Sequence, residues 1–235
     1  MITPRPLRTP KHAISTNPIH CHSYPTIKME LKHRSDAMPV KISLVEENQE
    51  LRASFVTLLK GAPGLCCVGS HANAEEALRR IPAERPDVVL MDVNLRGMTG
   101  IECMTRLRNK LPELRVLMLA RREHTDGGLD SLCAGAIGYL LKHAPSAELI
   151  EAIEQAHAGG ALMTMQIARK IMDYLRESPL STAQKLTGRE QAIVTLIAKG
   201  YSYAEIAESL HIGVVSVREH IQFVYQKLQK VTCVS

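Results

Sequence analysis

The chain has 235 residues, enough for about two ordinary domains. Hydrophobic residues make up 45% of it, but Trp is absent and Phe occurs twice, so two packed cores are expected and both must be aliphatic. No apolar run approaches the ~18–20 residues that span a bilayer, and no apolar stretch follows a basic start, so a soluble cytoplasmic protein is expected. The formal charge is +5. Most of that excess lies before residue 40, where six basic residues face two acidic ones; residues 186–235 carry five against four.

Residues 1–38 hold much of the Pro and His, show no sustained period, and are expected to be a disordered extension. His20, Cys21, His22 and His33 match no standard zinc spacing. Met38 directly precedes the first strand and is a candidate native start. The six Cys are scattered; Cys66, Cys103 and Cys133 stand in apolar stretches that suit buried, reduced thiols.

From residue 40, short apolar runs alternate with segments of helical period. Strands are predicted at 40–45, 65–70, 87–92, 115–120 and 138–141, and helices at about 48–60, 73–84, 100–111, 124–134 and 146–158. Five strand-then-helix units imply a doubly wound parallel sheet covered on both faces. Reactive groups in such a sheet gather beyond the carboxyl ends of its strands. There the chain places Glu46 and Glu47 after the first strand, Asp92 at the end of the third, Ala120 at the end of the fourth and Lys142 after the fifth. A further helix at about 165–176 leads into the polar stretch ESPLSTAQK, the natural linker. Three amphipathic helices follow. The predicted organisation is an extension at 1–38, an α/β domain at 39–158, a linker with a helix at 159–185 and a small all-α domain at 186–235.

EEN at 46–48, the aspartate closing VVLMD, the RGMTGIE after it and GAIGYLLK at 135–142 together resemble the signature of flavodoxin-like phosphoacceptor receiver domains. A carboxylate attacks phosphorus only if the accumulating negative charge is neutralised by a hard cation held by oxygen ligands. The resemblance implies Asp92 as nucleophile and phosphoacceptor, Mg²⁺ held by Glu46, Glu47, Asp92 and the backbone carbonyl of Asn94, and Lys142 paired with the phosphoryl oxygens.

Two positions depart from the family. Glu47 stands where most members have Asp, and its extra methylene displaces the carboxylate from a site that demands near-octahedral geometry. Ala120 replaces the Thr or Ser whose hydroxyl moves toward the phosphate and draws an aromatic, here Tyr139, inward. Asp92 is therefore expected either to be phosphorylated with weakened coupling to the output or not to act as a switch.

LTGRE, AKG, EIA and SVREHI within 186–229 resemble the LuxR-type helix-turn-helix, which makes the whole chain resemble a two-component response regulator of the LuxR/FixJ (NarL-like) family. Ile206, Leu210, Ile212, Val217, Ile221, Val224 and Leu228 are spaced to share one core. The helix from about 214 is the expected recognition helix, with Ser216, Arg218, Glu219 and Gln222 as the DNA-binding candidates. His220 is read as structural. Val214 and Val215 take positions that are ordinarily polar or basic, and the near-neutral charge offers few phosphate contacts. Family members continue into a fourth helix where this chain stops at Ser235.

The leading reading is a non-enzymatic DNA-binding regulator of a phosphorelay, with promoter DNA and a sensor histidine kinase as partners and a homodimer on activation. The competing reading is an interaction protein that works through its receiver with weak or phosphorylation-independent DNA binding. No nucleophile–base–orienter set for turnover of an external substrate is found.

Overall fold

A computed structural model describes residues 38–121, 127–177 and 185–232. The extension predicted at 1–38 therefore lies outside the described residues except for Met38, as does most of the polar linker.

The first part of the chain alternates strand and helix: β1 (Val40–Val45), α1 (Gln49–Gly61), β2 (Leu65–His71), α2 (Ala74–Glu84), β3 (Val88–Asp92), α3 (Gly100–Lys110), β4 (Arg115–Ala120), α4 (Gly127–Cys133), β5 (Gly138–Leu141) and α5 (Ser146–His157). The five strands form one parallel sheet in the order β2-β1-β3-β4-β5, as the alternation predicts. Side chains on a strand alternate faces, and here both faces are covered, so β3 is buried along its whole length. Val88 and Leu90 join a core with Leu59 of α1 and Ile153 of α5. Val89 and Met91 join the opposite core, with Ile81 of α2 and Met104 of α3.

That second core does not end with the sheet. It continues through α6 (Met165–Glu177), by way of Ile167 and Ile171, into α7 (Gly188–Ala198), α8 (Tyr203–Ser209) and α9 (Val214–Thr232). Thr187 and Ser202 open α7 and α8 with reciprocal capping boxes to Glu190 and Glu205, which satisfy amide donors that a helix start otherwise leaves free. Ile206, Val217, Ile221, Val224 and Leu228 are buried as predicted, with Leu210 and Ile212 partly buried beside them. Of the thiols expected to be buried, Cys103 and Cys133 are, but Cys66 is only half-buried. Cys66 follows Leu65 near the start of β2, an edge strand whose middle residues are only partly covered.

Candidate phosphoacceptor pocket and nucleic-acid interface

The sheet order reverses direction between β1 and β3, so these adjacent strands deliver their last residues to one crevice. Glu46, just beyond β1, is fully buried, and Asp92 at the end of β3 is 3% exposed. The Lys142 ammonium, beyond β5, lies 2.6 Å from Asp92 Oδ2 and 2.6 Å from Glu46 Oε2. The approach to Glu46 Oε2 is an ion pair outside hydrogen-bond alignment. The lysine is itself buried. Burying charge is expensive unless it is paired, and one ammonium here serves two carboxylates.

Local backbone contacts hold this group in place. Asn48 N donates to Glu46 Oε1 at 2.9 Å while the Asn48 side chain caps α1 by accepting from Leu51 N at 2.8 Å. The Arg52 guanidinium donates to the carbonyls of Glu46 and Glu47 at 2.7 and 3.0 Å. Asn94 N donates to Asp92 Oδ1 at 3.0 Å, and Lys142 N donates to the Ala120 carbonyl at 2.7 Å. Gly100 lets α3 close onto the end of β3, because a Cβ there would overlap the Asp92 carbonyl oxygen.

Glu47 goes elsewhere. Its Oε1 is 2.7 Å from Arg96 Nε, and its Oε2 accepts from Arg96 N at 3.2 Å. Arg96 was not among the sequence-predicted site residues; it lies in the loop after β3, where no periodicity reports a partner 49 positions away. Each of the six carboxylate oxygens of Glu46, Glu47 and Asp92 thus already faces an ammonium, guanidinium or amide donor. Among the described residues no three His, Cys, Asp or Glu side chains converge as a metal-binding group. Asn94 is exposed. In this arrangement Glu47 is turned to Arg96 and Lys142 stands between Glu46 and Asp92, so holding a divalent cation here requires these pairs to open. Ala120 is fully buried and brings no hydroxyl, while Tyr139 is 4% exposed and already inside. Tyr139 lines a cavity of about 470 Å³ with Leu141, His143, Met163 and Tyr203.

Helix α9 presents three faces. Val217, Ile221, Val224 and Leu228 enter the helical core. A second face turns toward the α/β part: Tyr225 Oη donates to the Leu162 carbonyl at 2.7 Å, Arg218 Nη2 lies 3.9 Å from Glu151 Oε1 of α5, and Gln222 lines a crevice of about 290 Å³ with Arg108, Glu113 and Gly160. Tyr203 of α8 reinforces the contact, accepting from Met163 N at 2.8 Å and donating to Met163 O at 3.1 Å; burial pushes its phenol up to about 12. The third face, open to solvent, carries Val215, Glu219, Phe223 and Gln226. The four DNA-binding candidates are therefore split: Glu219 is exposed, Ser216 is half-buried, and Arg218 and Gln222 face the α/β part. His220 packs edge-on against Phe223, ring centres 6.3 Å apart, and is half-buried.

A parallel sheet with a buried aspartate and lysine at its carboxyl edge, followed by a three-helix unit, defines a receiver protein with a helical output part. Residues 42–154 match the response regulator receiver domain, and residues 184–231 match the bacterial regulatory proteins of the luxR family. The DNA-binding transcriptional activator DevR/DosR of Mycobacterium tuberculosis is 33% identical over 194 residues, covering 80% of this chain and 88% of that protein. The nitrate/nitrite response regulator NarL of Escherichia coli strain K12 is 30% identical over 198 residues, covering 83% and 92%. Among solved structures, a LuxR-family two-component response regulator from Aurantimonas sp. SI85-9A1 is 33% identical and superposes with a TM-score of 0.55, covering 59% of this chain and 99% of that one. The chain belongs to the NarL-type two-component response regulators, a family of DNA-binding transcription regulators.

Proposed function

We propose that this chain controls transcription by binding promoter DNA through α9, and that it receives its signal at Asp92 from a sensor histidine kinase. The observation that carries this reading is the Asp92–Lys142–Glu46 cluster at the carboxyl edge of the sheet, in the same chain as the luxR-type helices.

In the reaction, an Asp92 carboxylate oxygen forms a bond to the phosphorus of a phosphohistidine, the P–N bond breaks, and the imidazole leaves with its electron pair. The Lys142 ammonium, already beside Asp92, takes up the negative charge carried by the phosphoryl oxygens. Because Asp92 is buried, the pocket must open to admit the donor. Receivers generally use Mg²⁺ to neutralise the transferring group; here Glu46, Asp92 and the Asn94 carbonyl would hold it only after Lys142 moved, and Glu47 only after leaving Arg96.

The receiver occupies 39–158, the linker with α6 occupies 159–185, and the output domain begins at 186. A homodimer forms on activation, and the protein works in the cytoplasm; among the described residues no helix is long and apolar enough to cross a membrane. Arg218 and Gln222 reach DNA only when α9 leaves the α/β part. Selection of bound sequences from a random DNA pool at near-physiological salt, with protein untreated or treated with beryllofluoride and Mg²⁺, tests the reading. An enriched sequence in either state is the expected result. No enrichment with folded protein rejects DNA binding in favour of a protein that acts only through its receiver.

A further inference from the structure

Among the described residues Val215 is the most exposed large apolar side chain within any helix or strand, at 66%. It lies in the first turn of α9 and shares the outward stripe with Glu219 and Phe223, at i, i+4 and i+8. An apolar residue this open on a soluble surface gains nothing by burial within its own chain. The stripe carries no basic residue: Arg218 faces Glu151, and Lys227 is held 2.6 Å from Glu190 Oε2. A recognition helix meets base edges with its first residues. In the major groove the base feature that an aliphatic side chain recognises is the thymine C5 methyl, the one bulky apolar group on those edges.

We infer that Val215 is a specificity-determining residue that packs against a thymine methyl in each half of the DNA site. This rests on the DNA-binding reading above and adds to it the chemical feature that is read. Deoxyuridine differs from thymidine only by that methyl, so replacing thymines one at a time in the selected sequence isolates the contact.

Binding of the full chain to the selected duplex, with each thymine replaced in turn, is expected to weaken about fourfold at one thymine per half-site, the worth of one buried methyl group. Val215→Ala, a substitution at an exposed helical position that alanine favours, should make that same replacement neutral without altering the others. Indifference to uracil at every thymine, or a penalty that persists in Val215→Ala, overturns the inference while leaving DNA binding intact. Failure to select any sequence removes both. A change in sedimentation from dimer to monomer in Val215→Ala, with base preference unchanged, identifies the stripe as a contact between copies and also overturns it.

Discussion

The carboxyl edge of the sheet and the surface of α9 treat charge in opposite ways. At the sheet edge, the buried Lys142 ammonium lies 2.6 Å from each of two buried carboxylates, Glu46 and Asp92. On α9 the exposed stripe is largely apolar, and Arg218 stands 3.9 Å from its partner, itself mostly exposed. The first arrangement is held by strong, desolvated interactions and resists change; the second is weakly held and free to exchange partners. A regulator needs both: a pocket that is stable until chemistry alters its charge, and a helix whose contacts are light enough to be given up.

The sharpest way to break the contrast is at Lys142. Lys142→Met leaves two buried carboxylates side by side without a cation, and the expected loss is about 3–5 kcal/mol in urea unfolding. A loss under about 1 kcal/mol would mean the pocket is far wetter than the buried side chains indicate.

On the other side of the comparison the effects are smaller. Tyr225→Phe removes only the hydroxyl that donates to Leu162 O, and should weaken docking of α9 by about 1 kcal/mol, read as faster amide exchange at Met163, whose N–H is held by Tyr203. Thr187→Ala removes the cap of α7 and should also cost about 1 kcal/mol.

Glu190 adds a pH dependence within the output helices. Burial raises its carboxyl, but hydrogen bonds from Lys227 and Thr187 outweigh that and hold it below its ordinary value. A depressed folded value means the stabilisation is present above the unfolded value of about 4.3 and is lost as pH falls toward the folded one. Urea midpoints measured from pH 6 downward should therefore fall in the native chain, and Glu190→Gln should remove that contribution.

The smallest expected effect is at Arg96, whose side chain is almost wholly exposed. Arg96→Ala should change stability by less than about 1 kcal/mol. By releasing Glu47 it should nevertheless tighten Mg²⁺ binding in calorimetric titration. Unchanged binding would show that Lys142, rather than Arg96, sets the pocket's affinity for the ion.

Much of this was legible in the sequence, for reasons that differ by element. The strands of the sheet were found within a residue or so: β3, buried along its whole length, reads as an unbroken apolar run before Asp92, and the others as short apolar-rich runs bounded by turns or charges. The helix predicted at 48–60 appears at Gln49–Gly61. The order of Glu46, Asp92 and Lys142 along the strands sufficed to gather them. The partners of loop residues were not legible. Nothing local to Arg96 points to Glu47, and the part-buried trio of Ser43, Glu84 and His71, in which both Ser43 Oγ (2.7 Å) and His71 Nε2 (3.0 Å) meet one Glu84 oxygen, joins three separate elements. Nor does helical period tell which polar face of α9 meets solvent and which meets α5; that depends on how the two parts dock, so Arg218 and Gln222 were grouped with Glu219 although they point elsewhere.

The central claim is that Asp92, paired with Lys142, is the group that receives the signal. Intact-mass measurement of the full chain after incubation with acetyl phosphate and Mg²⁺ tests it most directly. The account predicts addition of a single phosphoryl group, absent in Asp92→Asn. No addition to the folded native chain, or the same addition in Asp92→Asn, would contradict it.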